Sequence, residues 1–400
     1  MKIRLRVRTA TALAVAIALV GPTTTALASD DGADASALTL AIYGDAPYGT
    51  TPTDDAEFTA TPDFIKAVNA DPDVSLVAHV GDIHSGKQFC TQAYDQSIDD
   101  LWAQYAKPLV YTPGDNEWAD CHKKGEGGGT YDSSTGQITY VTDANGQPVD
   151  YAKGDPIANL DLVRSIFFPS PGRTLGQVSM PVLSQSQVTD PAHVEDQQYV
   201  ENVMWVRRGI VFVTLNIPGG SNNDADAWYG APVTDAQTRE QAQRTGADLR
   251  WLDRAFTTAA SIGARSVVVL EQADMWDLDG KTPAHLSNYE PIVSSLASHT
   301  VAFGGPVLLF NGDSHVYRSD NPLVQGSTCT TEAPGGGEQA CASDDWTTHP
   351  SYAVPNFHRI TVHGSTFPLE WLKLTISSNG HLPAGANTFG PFAWQRMPQS

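Results

Sequence analysis

Apolar runs of strand length recur along this chain, and one after another stops at a turn crowded with side-chain oxygens. "ALTLAIYGD" ends at Gly44-Asp45, "VSLVAHVGD" at Gly81-Asp82, and "PLVYTPGD" at Gly114-Asp115, with Asn116 and Glu117 directly behind. "SVVVLEQAD" delivers Glu271, Gln272 and Asp274, and "PVLLFNGDSH" delivers Gly312, Asp313, Ser314 and His315. Between these runs lie stretches with helical spacing. "TPDFIKAVNA" sets Phe64, Ile65 and Val68 on one face, "YDQSIDDLWAQYA" repeats the pattern, and the long "TDAQTREQAQRTGADLRWLDRAFTTAA" opens on a capping threonine. "LSNYEPIVSSLAS" reads as a further helix. Strand and helix alternating at this spacing build parallel βαβ units, which fixes the class as α/β.

The remaining segments fill out one domain over residues 38–400, with no internal repeat or linker to divide it. "ENVMWVRRGIVFVTLNIPGGSNN" reads as a hairpin running into a buried strand. A Gly-rich, loop-like insertion occupies residues 120–157, with "TDANGQPV" as a tight turn inside it. A second insertion covers 325–350. Near the end, "FHRITVHG" and "LEWLKLTIS" alternate apolar and polar residues and read as a hairpin closing a sheet.

The first residues read as an address and not as part of the fold. Lys2, Arg4, Arg6 and Arg8 precede an apolar stretch, Thr9 to Val20, that is too short to span a bilayer. Ala26-Leu27-Ala28 supplies a cleavage signal, so residues 1–28 form a secretory signal peptide and 29–37 a flexible lead-in. No later segment is apolar enough to cross a membrane. The formal charge of −21 becomes more negative once the basic signal is removed. A field of that sign excludes nucleic-acid or anionic-membrane binding through bulk charge, and it attracts divalent cations. In an exported chain the four cysteines read as two bridges, Cys90–Cys121 and Cys329–Cys341, in preference to the other pairings.

Each Gly-Asp alone is an ordinary turn. Repeated at successive strand ends, they converge, because ligands of open α/β sheets sit outside the carboxyl ends of the strands. Converging carboxylates repel one another and call for a cation. Hard oxygen donors with one imidazole suit Mg, Mn, Ca, Fe or Zn.

The order of these blocks, "YGDAPYG", "HVGDIHSG", "TPGDNEW", "LEQADMWD" and "NGDSHVY", resembles that of the calcineurin-like metallophosphoesterases. The purple acid phosphatases belong to that superfamily, and this chain looks like a divergent, secreted, bacterial-type member. The resemblance covers Leu38 to Ser377 and implies two stacked mixed β-sheets flanked by helices, a four-layer sandwich with a two-metal site at the strand ends. It assigns Asp82 as a bridge between two divalent ions. Asp45 and His315 complete one site, and Asp115 or Asn116, with Asp313 and Gln272, hold the other. The residue types depart from the family consistently: Pro47 stands for a histidine of the first block, Asn116 for the third-block histidine, Gln272 for the fourth, and Asp313 for the first histidine of the last. Asn116 can donate a hydrogen bond to a leaving group but cannot protonate it.

Catalytic roles accordingly fall to Asn116, Gln272 and Asp274, and substrate contacts to Asn216, Asn222 and Arg318, with Asn223 beside them. Turn chemistry for the asparagines and an ion pair for Arg318 are equally ordinary readings. His84 stands two residues after Asp82 and could face the site or lie in an ordinary turn; His79 reads as core, Trp118 as packing under the third block, and Trp276 as a cleft wall. The expected function is a secreted metal-dependent phosphoesterase acting on a small mono- or diester by metal-activated water. The alternative is a catalytically impaired member that binds metal or a phosphate ligand outside the cell, or holds calcium for structure. The oligomeric state is left open.

Overall fold

A computed structural model describes residues 37–223, 226–277, 283–342, 349–379 and 381–399. The signal-peptide reading and nearly all of the lead-in fall on residues outside these. Among these residues the strands form a six-stranded sheet, a nine-stranded sheet and a separate two-stranded ribbon. In the first sheet β1 (Leu38–Tyr43), β2 (Val74–His79) and β3 (Leu109–Tyr111) run parallel. Glu370–Ile376 pairs antiparallel with β1 and carries Phe392–Pro398 on its far side. At the centre of the second sheet, Ile210–Thr214, Ser266–Leu270, Val307–Asn311 and Phe357–Thr361 are all parallel.

Side-chain alternation sorts these strands into layers. Val268 and Leu270 face Leu40, Ile42, Leu76 and Leu374 of the first sheet in one apolar slab between the sheets. Val267 and Val269 point the other way, onto the helices Asp235–Ile262 and Glu290–Phe303. The outer face of the first sheet is covered by α1 (Ala56–Ala70), α2 (Gln92–Trp102) and α3 (Pro156–Phe167). The result is helices, sheet, sheet, helices, the sandwich expected. Among the described residues no helix is long and apolar enough to cross a membrane. Both expected disulfides form, Cys90–Cys121 and Cys329–Cys341.

The structure differs from the sequence reading in two places. The tail is no hairpin: Phe357–Thr361 lies in the second sheet and Glu370–Ile376 in the first. Alternation marks a strand with one buried face but does not say which sheet it joins, and residues 362–369 cross between sheets at the site end. The insertion at 120–157 also holds a paired ribbon, Gly129–Asp132 with Gln137–Tyr140. The "TDANGQPV" turn follows it, closed by the Asp143 N–H on the Gln147 carbonyl at 2.8 Å.

Candidate metal centre

The parallel strands of both sheets end on the same side, and backbone hydrogen bonds stitch their ends together. Asp45 donates to the Gly81 carbonyl at 2.9 Å, Gly312 to that of Gln272 at 2.9 Å, and Gly364 to that of His315 at 3.0 Å. The Thr112 hydroxyl reaches across to the Leu215 carbonyl, tying one sheet's end to the other's. Two glycines make the approach feasible. A Cβ on Gly114 would stand 1.9 Å from Asp82 Oδ1, and one on Gly312 would stand 2.4 Å from Asp45 Oδ2.

Among the described residues, Asp45, Asp82 and His315 form a group whose ligand atoms all lie within 4.8 Å of one another. Each sits on left-handed backbone, with φ of 50°, 61° and 63°, as does Asp313 at 69°. Non-glycine residues adopt this region at a cost, and such strain clusters at functional sites. Asp45 and Asp82 are buried, whereas the His315 ring is 37% exposed and gives the group its opening to solvent.

The electrostatics are unbalanced. Burial pushes the Asp45 carboxyl well above the usual carboxylate range, and Asp313, Asp115 and Glu117 push it further. Burial raises Asp82 as well, together with Asp115, Glu117 and Asp45. Asp45 Oδ2 is buried with no hydrogen-bond partner, while Asp45 Oδ1 accepts the Asp313 N–H at 2.9 Å and lies 3.7 Å from His315 Nε2. A buried carboxylate oxygen without a proton donor, beside a second carboxylate and an imidazole, is what a divalent cation satisfies. The residues present fit such an ion.

The expected residues of the other metal position are arranged differently. Gln272 Nε2 donates to Asp82 Oδ2 at 3.1 Å and to Asp115 Oδ1 at 3.0 Å, and its Oε1 accepts the Gly219 N–H at 2.6 Å. Asn116 Nδ2 lies 3.2 Å from Asp82 Oδ2 and 2.9 Å from the His84 carbonyl, so it too faces the group as a donor. In that orientation Asn116 turns its amide nitrogen, not its oxygen, toward Asp82. Behind them Glu117 Oε1 accepts from Tyr111, Gly114 and the Asp82 N–H, and both sulfurs of Cys90–Cys121 lie against the Asn116 carbonyl, at 3.2 and 3.5 Å.

Several expected participants are engaged elsewhere. Asp274 is buried, its carboxylate accepting from Arg359 at 2.5 Å and from the Ser314 hydroxyl at 3.0 Å, while its N–H donates to Asp313 Oδ2. It braces the last loop from behind. Asn216 donates to Glu201, and Asn222 donates to Thr245 and accepts from Arg244, so both side chains are taken up inside the protein. Asn223 is likewise held by Glu240 and Trp228. Arg318 pairs with Asp320 at 3.0 Å. Trp276 is no cleft wall: it is fully buried beneath the Arg359 guanidinium. His79 and Trp118 are core, and the buried His84 ring turns its edge to Tyr94.

Sequence reasoning missed two contributors. The Tyr48 hydroxyl donates to Asp82 Oδ2 at 2.6 Å, from a position that reads as part of an ordinary Pro-Tyr-Gly turn. Arg359 lies mid-strand, in a segment whose Phe357 and Ile360 are buried, and an arginine there was the available signal of a buried ion pair.

No protein-family model matches the chain, and no curated protein is similar to it in sequence. Among solved structures it is similar to purple acid phosphatase PPD1 from seeds of yellow lupin, Lupinus luteus, at 12% identity and a TM-score of 0.39. That alignment covers 86% of this chain, which spans half the length of the lupin chain. The likeness is a loose one, so this chain's own side chains have to carry any functional reading.

Proposed function

We propose that the chain is a metal-dependent phosphoesterase, exported, with a divalent cation held by Asp45, Asp82 and His315. The observation that carries this reading is the triad itself: three ligands on strained strand ends, one buried oxygen of which has no other partner. When bound, the cation supplies Lewis acidity toward a phosphoryl oxygen and lowers the pKa of water. The chain's own residues do the rest. Tyr48, Asn116 and Gln272 fix the Asp82 carboxylate by hydrogen bonds. The Asp313 N–H and the Gly364 contact to the His315 carbonyl hold the fifth loop against Asp45. Lys123, 37% exposed between Asp120 and Asp226, supplies a positive charge near Asp115. With an amide at position 116, esters whose leaving groups need no proton are the favoured substrates.

A second reading is supported by the same amides. Asn116 and Gln272 stand where the resemblance implies histidines, which suits a protein that binds a metal or phosphate ligand without turning it over. One experiment separates the two. The purified chain is loaded with Mn, Zn, Fe, Ca or Mg, its metal content is measured, and turnover of 4-nitrophenyl phosphate and bis(4-nitrophenyl) phosphate is followed. Metal with turnover supports the enzyme; metal or phosphate binding without turnover supports the binding protein; neither metal nor phosphate bound overturns both.

A further inference from the structure

We infer that this centre holds a single cation, and that the side-chain amide of Gln272 occupies the position of a second. The inference rests on the metal-binding reading above and deepens it. Asp82 was expected to bridge two ions, which takes two free lone-pair directions on its carboxylate, and Oδ1 keeps only one beside the Asn116 backbone N–H it accepts at 3.2 Å. Asp82 Oδ2, however, is already surrounded by protons: the Tyr48 hydroxyl at 2.6 Å, Gln272 Nε2 at 3.1 Å and Asn116 Nδ2 at 3.2 Å. A carboxylate oxygen has about two lone-pair directions, so Tyr48 and Gln272 alone leave none for a metal ion, even with the two Asn116 N–H groups spent on Tyr48 Oη and the His84 carbonyl at 2.9 Å.

Gln272 does at this place what a cation would do. It lies between Asp82 and Asp115 and binds both, spending its two N–H groups on the two carboxylates. Its orientation is fixed from the other end, since Oε1 accepts the Gly219 N–H and cannot be exchanged with the nitrogen without setting a donor against a donor. It is also locked in place. A Cβ on Gly81 would stand 2.6 Å from Gln272 Cγ, and one on Gly219 would stand 2.6 Å from Asp115 Oδ2 and 2.7 Å from Asp313 Oδ1. Gly81 thus packs against the stem of Gln272, and Gly219 lets Asp115 and Asp313 come close while its N–H holds the amide oxygen. The amide brings no net charge; the nearby ammonium of Lys123 is paired with Asp120 at 2.5 Å and Asp226 at 2.9 Å.

The residues that remain for metal are those of the triad, where Asp45 Oδ2 still lacks a donor. Asp115 and Asp313 then serve as hydrogen-bond acceptors, from Gln272 and from Asp274 respectively.

The test is stoichiometry. Wild-type protein, stripped and reloaded with excess Mn, is desalted and its metal counted per chain. The electron paramagnetic resonance spectrum of the bound Mn is recorded on the same sample. One ion per chain with the spectrum of an isolated Mn is expected. Asp45→Asn should lower the count to near zero. Gln272→His, which replaces the amide by a ligand, should raise it to about two, with signs of coupling between neighbouring ions. Gln272→Glu provides a second variant in case the imidazole does not fit, and it too should recruit a second ion. Two ions or a coupled spectrum in the wild type would overturn the inference while leaving the metal-binding reading intact. A Gln272→His protein that folds and still binds one ion would also overturn it, because the amide would then not be what excludes the second. No ion in the wild type would sink this inference and the proposed function together.

Discussion

Arg359→Met should be among the most damaging single substitutions outside the centre. The guanidinium is fully buried and, among the described residues, makes charge-assisted hydrogen bonds to Asp320 at 2.9 and 2.7 Å and to Asp274 at 2.5 Å. Removing it does not strand both acids equally. Asp320 keeps Arg318 at 3.0 Å, whereas the donors left to Asp274 among the described residues are neutral, the Ser314 hydroxyl and the Trp276 backbone N–H. A buried charge left without its partner costs roughly 3–5 kcal/mol, and that is the expected loss of folding stability. Methionine fills much of the volume, so the loss reports charge more than cavity. Neutralising the stranded acid should recover part of it: Asp274→Asn with Arg359→Met is expected to be better than the sum of the singles by about 2 kcal/mol. Urea unfolding followed by tryptophan fluorescence, with the disulfides intact, measures both. Because Asp274 braces Asp313 and Ser314 beside His315, metal affinity should also fall by roughly ten- to a hundredfold, as for other supports of metal ligands. Acid stability gives a further readout. Burial raises the Asp320 carboxyl, but Arg359 and Arg318 outweigh burial and hold it below the ordinary range. Its stabilisation is therefore present above about pH 4 and lost as pH falls through the lowered value. Without Arg359 that loss should begin at higher pH. A cost under about 1 kcal/mol, or a double variant no better than the sum of its singles, would refute the reasoning.

Removing the bridge with Cys90→Ser and Cys121→Ser should destabilise the fold by roughly 3–4 kcal/mol on chain entropy for a loop of this length, and weaken metal binding because the sulfurs back the Asn116 carbonyl; unchanged metal affinity would show that the bridge does not support the site. Adding a chelator to metal-loaded protein should lower the melting temperature, by an amount equivalent to about 3 kcal/mol if metal had been present at a hundred times its dissociation constant, with Asp45→Asn insensitive to chelator. His363 gives an alkaline-side test: burial pulls its imidazole down, but the hydrogen bond and charge of Glu332 at 2.8 Å outweigh that and raise it. Its contribution is full below the ordinary histidine range and lost as pH rises through the raised value, so His363→Gln should flatten that part of the stability profile.

The strand ends were legible because Gly-Asp after an apolar run is a local pattern, and Asp45, Asp82 and His315 do meet as that pattern implied. The layers were legible because Val267 through Leu270 are apolar throughout, as a strand covered on both faces must be. What the sequence could not convey was direction. Gln272 was visible as an amide at a strand end, but which of its atoms faces Asp82 depends on the Gly219 N–H, some fifty residues away along the chain. Asn216 and Asn222 looked like cleft residues for the same reason: their type was plain, and the buried Arg244 that turns Asn222 inward lies on a distant helix. Tyr48 stayed hidden because its short turn folds back onto Asp82.

The left-handed backbone at Asp45, Asp82, Asp313 and His315 bears on how such a protein can age in evolution. Glycine adopts that conformation freely, so at each of these positions it would relieve local strain on the order of 1 kcal/mol while deleting a functional group. The balance differs by position: at Asp82 glycine would also strand the buried donors of Tyr48 and Gln272, at more than the strain it relieves, whereas the partly exposed His315 ring carries no such cost. A lineage released from the need for the centre should therefore lose it in a fixed order, with glycine at 315 first and the buried Asp82 last, and all of this before any damage to the apolar layers between the sheets.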